Sequence, residues 1–277
     1  ANAAKLLVSI VTKEGTEGDK VVAMVRMAGV YLKDGESDEA LKVAKNALKM
    51  ATDDGNLHGQ AQAGMMTADV LMVCEKHAEA VVAAIDAAEG FKALEDLRGE
   101  AHARMTIAEV LVFQYLCDPQ PLMDWLGFDT KWHTVLDAVN KAERLARRLD
   151  DNKVLSTVLL LAARASEKRR MADDALQAAM EAVELCAESH DVYGEAAAHL
   201  VCSRVHLGDE NPTLAEDSAR QAFELYKAAG NHAGMAQAIQ AMQAVARAAA
   251  PAMFTLPSAS STSEMMPLLE TFARSYA

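Results

Sequence analysis

Three side chains of this sequence stand where a helix would turn them to one side: His199, Cys202 and His206, at i, i+3 and i+7. Imidazole and thiolate are the ligands zinc takes, and Cys186 or His190 on a preceding helix could supply a fourth. Forty residues earlier, however, the same places hold Leu159, Ala162 and Ser166, which marks them as core-facing positions filled here by a buried His and Cys. Carboxylates also come in pairs, at Asp53/Asp54, Asp150/Asp151 and Asp173/Asp174. Acid–base work would require a water-excluding pocket with convergent polar groups. These pairs fall at helix junctions instead, and read as N-terminal caps and dipole partners. The sequence has no glycine-rich phosphate loop, no G-x-S-x-G elbow and no H-E-x-x-H pair. The expectation is a chain that is not an enzyme and uses no metal and no cofactor.

The elements that position these residues repeat. Asn56…Gly59, Asp96…Gly99, Asp151…Val154, Asp191…Gly194 and Asn231…Gly234 recur at steps of 40, 55, 40 and 40. Ala47, Ala87, Ala142, Ala182 and Ala222 keep the same ruler, and so do Ala40, Ala80, Val135, Ala175 and Ala215. One period with a single longer step makes the chain a repeat array, which extends a surface instead of closing a pocket. Each unit reads as two antiparallel helices. The first runs from about Thr16 through Lys33, turns at Asp34-Gly35-Glu36-Ser37 with Ser as the new N-cap, and returns through Met50. On the return, Ala40, Leu41, Ala44, Ala47, Leu48 and Ala51 form one apolar stripe. Later units run from Asn56, Asp96, Asp151 and Asp191, and an unpaired helix spans Asn231 to Ala250.

Composition suits closely packed helices: 51% of the residues are hydrophobic but only 5% aromatic. A net charge of −13 disfavours nucleic acid, whose binding relies on neutralising phosphates, and an anionic membrane face. Arg144, Arg147, Arg148, Lys168, Arg169 and Arg170 are the densest basic group and read as a solvated helical face. Cys74, Cys117, Cys186 and Cys202 show no CxxC spacing and read as reduced or buried thiols of a reducing compartment. No apolar run approaches the ~20 residues of a membrane span, which still leaves room for a partner within a membrane complex. The sequence begins at Ala1, as after removal of an initiator Met or cleavage of a targeting segment.

The landmarks resemble the tetratricopeptide repeat (TPR). That family has a small residue midway along the first helix, here Ala28, Ala68, Ala108, Ala163 and Ser203. Its second helix carries two small residues seven apart, here Ala40/Ala47 and their successors, and Tyr31 matches an aromatic position. Two departures stand out. The period is 40, longer than the family's, and its large first-helix aromatic is replaced by Met24, Gly64, Arg104, Leu159 and His199. The resemblance implies an all-α, right-handed solenoid of about five helix pairs plus a terminal helix over residues 16–250. Residues 1–15 precede it and a tail, 251–277, follows. It also implies that first helices line a concave groove that binds proteins or peptides. In that register Met65, Met105, Leu160 and Leu200 form an apolar row. Gln62, His102, Thr157 and Gln237 flank it on one side. On the other, Asp69, Glu109, Arg164 and Arg204 run from acidic to basic.

Two segments break the repeat. The insertion, 117–132, holds both tryptophans, Trp125 and Trp132, with Phe128, and is either packed on its own solenoid or held by a partner. The tail follows Pro251, Pro257 and a Ser/Thr run with Met265, Met266, Leu268, Leu269 and Phe272, and expects a dock on the solenoid or on a partner. The functional expectation is a protein-interaction scaffold, an accessory subunit of a larger complex such as one of an organelle. The alternative is a transient adaptor that takes short peptides in its groove.

Overall fold

The computed structural model describes residues 16–117 and 130–249; the N-terminal segment, most of the insertion and the tail lie outside them. Among the described residues there are eleven helices and no strands. They are α1 (Glu17–Lys33), α2 (Ser37–Asp53), α3 (Leu57–Val73), α4 (His77–Ala93), α5 (Leu97–Cys117) and α6 (Thr130–Leu149). After these come α7 (Asn152–Lys168), α8 (Ala172–Glu188), α9 (Val192–Gly208), α10 (Pro212–Ala228) and α11 (His232–Ala249).

Three-residue turns produce this regularity. After α3, the Glu75 N–H donates to the Met72 carbonyl and the Lys76 N–H to that of Leu71, the paired bonds of a Schellman closure. The second donor is also the N-cap of the next helix, so one turn ends a helix and starts another. The same two bonds close α1, α2, α4, α7, α8, α9 and α10. Each turn has a left-handed residue at its centre. It is glycine at Gly35, Gly55 and Gly230, but Glu75, Glu95, Arg170, His190 and Glu210 hold φ between 56 and 60°.

The Asx landmarks are caps of the first helices. Asn56, Asp96, Asp191 and Asn231 accept from the N–H of Gly59, Gly99, Gly194 and Gly234, and Asp151 accepts from Val154, at 2.9–3.2 Å. Thr16 and Asp19 form a capping box at the head of α1. The return helices begin differently. Glu36 and not Ser37 is the N-cap of α2, without a side-chain bond, and Lys76, Met171 and Asn211 are equally bare. Asp53/Asp54 close α2, with Asp54 as its C-cap, and do not cap the N-terminus of the next helix, because the Schellman turn hands that role to Asn56.

Packing follows from residue size. Ala28, Ala68, Ala108 and Ala163 are fully buried, Ser203 is 1% exposed, and all the paired return-helix landmarks are buried. These small side chains let helix backbones approach closely. A second pattern links some return helices to the next first helix. Phe91 lies against Gly99, where a Cβ would stand 2.3 Å from its ring, and Tyr226 lies against Gly234 at 2.4 Å. At the corresponding step Ala146 and Val154 share a core cluster, so the small and large residues change places.

First helices contact first helices along the array: α1 with α3, α3 with α5, α5 with α7, α7 with α9, and α9 with α11. The backbones of neighbouring return helices stay apart, and a long pair such as Arg147 with Glu181, 2.8 Å, bridges them. The first helices therefore form the closed inner layer and the return helices the open outer one.

Candidate functional site

The inner layer carries the expected apolar row. Met65, Met105 and Leu160 are half-buried and Leu200 is 4% exposed. Met65 and Met105 rest on the largest core cluster, and Met105 and Leu160 share the next one, so the strip continues from unit to unit.

Electrostatics divide the strip. Asp69 is half-buried and forms no hydrogen bond or ion pair among the described residues. Burial, and then the neighbouring Glu109, push its carboxyl up to about 7. Burial raises Glu109 too, while Arg164 on the following first helix draws it back. Arg204 is already engaged: its guanidinium grips Glu167 through two bonds, 2.6 and 2.9 Å. The site is thus an apolar strip with two neighbouring carboxyls at units two and three, of which Glu109 feels the cation of Arg164 and Asp69 has none among the described residues. In the flanking row Gln62 meets His58 at 2.8 Å and Thr157 donates to the Lys153 carbonyl, while His102 and Gln237 are exposed.

Trp132 belongs to the core. It is 8% exposed, its ring lies 5.9 Å from that of Tyr115, and the Arg169 guanidinium sits over it. Lys168 next to it reaches the carbonyls of Tyr115 and Leu116, tying α7 to the end of α5. The basic group of the sequence is thus largely occupied, with Arg147 on Glu143 and Glu181. Trp125, Phe128, Met265, Met266, Leu269 and Phe272 lie outside the described residues.

The His–Cys triplet does not converge on a site. Burial lowers His199 and raises the Cys202 and Cys186 thiols, opposing the thiolate a metal would need. Among the described residues no group of three His, Cys, Asp or Glu could hold a metal ion, and no helix is long and apolar enough to cross a membrane. All four cysteines are free thiols.

One feature of the outer layer had no place among the expectations. Val82 and Ile85 of α4 are 60% and 40% exposed beside a groove of about 650 Å³. Its signal was present in the sequence, in a column-by-column comparison of the return helices.

No family model and no curated protein matches the chain. Solved structures match it in fold. A signal-transduction ATPase with a tetratricopeptide repeat sensor from Pyrococcus horikoshii superimposes over 87% of this chain and 37% of its own, with TM-score 0.64 and 12% identity. Aspartyl phosphate phosphatase F from Bacillus subtilis does so over 88% and 63%, with TM-score 0.62 and 11% identity. A Rap protein complexed with competence and sporulation factor does so over 89% and 68%, with TM-score 0.60 and 15% identity. The chain thus spans little more than a third of the first of these proteins. The class that fold and site define is the helical-repeat solenoid. More particularly, its fold is similar to that of solved proteins with tetratricopeptide repeats.

Proposed function

We propose that this chain is a non-enzymatic protein-interaction scaffold that holds a partner along its inner layer, as an accessory subunit of a larger assembly. The observation that carries this reading is the Met65–Met105–Leu160 strip beside Asp69, a half-buried carboxylate with no cation of its own. An unneutralised acid in such a setting is a standing cost that a partner's basic group removes. Fold supports the reading by analogy, since a Rap protein of similar architecture is complexed with a competence and sporulation factor. The insertion's Trp125 and Phe128 and the tail's Met265, Met266, Leu269 and Phe272 are further contact elements in this reading, because the repeat has no use for them.

The test is the double variant Asp69→Lys/Glu109→Lys in the full chain, expressed in its source cells and purified with its partners. A stoichiometric partner present with the unaltered chain should be lost from the variant, with helical content by circular dichroism unchanged. Retention of that partner would remove the inner layer from the contact. A free monomer that binds short peptides would favour the transient adaptor over the fixed subunit.

A further inference from the structure

The outer layer holds a second surface, distinct from the inner strip. On the solvent side of every return helix, two positions three residues apart face away from the core. They are Lys42 and Lys45 in α2, Asp137 and Asn140 in α6, Gln177 and Met180 in α8, and Asp217 and Arg220 in α10. In α4 they are Val82 and Ile85. The chain itself therefore shows what a return helix needs there, and two branched apolar residues are not it. Isolated exposed apolar residues are ordinary, but these two adjoin a groove. Because the backbones of α2 and α4 stay apart, a channel of about 650 Å³ opens between them, with Leu48 on one wall and Leu57 and Ala61 of α3 in its floor. Its size lies within the range of ligand-sized pockets, ~300–1,000 Å³. Leu57 is 57% exposed at its end.

The charges select the occupant. The only charged residues lining the channel are Glu79 and Asp86, both exposed and neither in an ion pair among the described residues. A second copy of this chain fits poorly. A two-fold contact of α4 on α4 would bring the Glu79 and Asp86 carboxylates of two copies to one interface, and each copy carries −13. We propose that the α2–α4 channel docks an amphipathic helix of another protein, whose apolar stripe covers Val82, Ile85 and Leu57 and whose flanking Lys or Arg side chains meet Glu79 and Asp86. Helix-in-groove capture of this kind takes anchors at i, i+3 or i+4, and i+7.

The experiment uses the full chain and two synthetic helical peptides of ~18 residues, about five turns. Both carry the same leucine stripe; one is flanked by lysine and the other by glutamate. Fluorescence anisotropy should show the lysine peptide binding and the glutamate peptide not binding. The variant Val82→Lys/Ile85→Lys copies the residues of α2, so the fold accepts it, and should weaken the lysine peptide by about tenfold or more. Asp69→Asn/Glu109→Gln, on the inner layer, should leave that binding unchanged. Binding that survives Val82→Lys/Ile85→Lys but is lost in Asp69→Asn/Glu109→Gln would place the lysine peptide on the inner layer and overturn the proposal, without touching the reading of the inner strip. Equal binding of the two peptides, or indifference to Val82→Lys/Ile85→Lys, overturns the proposal. So does failure of the lysine peptide to bind at ~1 mM. Sedimentation of a dimer that the same variant converts to monomer would overturn it in favour of a second copy. Binding of the lysine peptide only after residues 251–277 are removed would overturn it in favour of the chain's own tail.

Discussion

Exchanging the Phe91/Gly99 pair for the chain's own alternative tests whether the units interlock by complementary size. A Cβ on Gly99 would stand 2.3 Å from Cδ1, 2.5 Å from Cγ and 2.7 Å from Cε1 of Phe91, well inside contact distance. Phe91 is 5% exposed within the largest core cluster, so its ring has nowhere to retreat. Gly99→Val alone should therefore cost at the upper end of overpacking, about 2–3 kcal/mol. Phe91→Ala alone leaves a cavity and should cost about 3–5 kcal/mol. The double variant places Ala beside Val, the pair that shares a core cluster as Ala146 and Val154, and the valine refills part of that cavity while meeting no ring. It should be more stable than the sum of the single losses by about 1–3 kcal/mol, the range of coupling between touching residues. Urea unfolding gives the four stabilities, and amide exchange across α4 and α5 shows whether the loss is local, since repeat arrays need not unfold as one unit. Additivity to within ~0.5 kcal/mol would refute size complementarity as the pattern that joins these units.

Asp69 sets a pH dependence. Its carboxyl lies at about 7 in the folded chain against an ordinary 3.8, so between ~4 and ~7 the folded state holds a proton that the unfolded state has lost, and stability falls as pH rises. Asp69→Asn should abolish that slope and raise stability at pH 8 by about 1–3 kcal/mol, allowing for partial exposure and the coupling to Glu109; equal urea midpoints for both chains at pH 5 and pH 8 would contradict this. Glu75→Gly and Glu210→Gly, both at φ 59°, should each add about 0.5–1 kcal/mol and raise the melting temperature, and no gain would show that side-chain contacts offset the left-handed strain. Trp132→Ala should cost about 3–5 kcal/mol and loosen α5 and α6 in amide exchange, and a variant as stable as the parent would remove the indole from the core.

Which features were legible depends on whether packing forces them to recur. The Asx caps and the small residues were readable because every unit solves the same problem: a Schellman turn delivers an N-cap at a fixed step, and two helices must meet at Ala28, Ala68 and their successors. The return-helix starts were blurred for the opposite reason. Glu36, Lys76 and Met171 make no side-chain cap, and the left-handed residues Glu75, Arg170 and Glu210 before return helices are not glycine, so these turns rest on backbone bonds that leave little trace in residue type. Trp132 could be read either as packed on the solenoid or as held by a partner, because its loop context hid that α6 begins early enough to carry it into the core. Contacts that cross units, such as Arg204 on Glu167, need the distance between α7 and α9 and could not be read from spacing. The same reasoning locates function. A position that packing dictates either looks alike in every unit or changes together with its packing partner, as Phe91/Gly99 and Ala146/Val154 do, so partner-specific information is to be sought where a column breaks without such a partner. Asp69 and Glu109 against Arg164 and Arg204 break the inner column, and Val82 and Ile85 against Lys42 and Lys45 break the outer one. Both breaks set charge beside apolar area, Asp69 next to Met65 and Met105 on the inner layer and Glu79 and Asp86 next to Val82 and Ile85 on the outer, so salt should weaken basic partners at either surface while the apolar contribution persists.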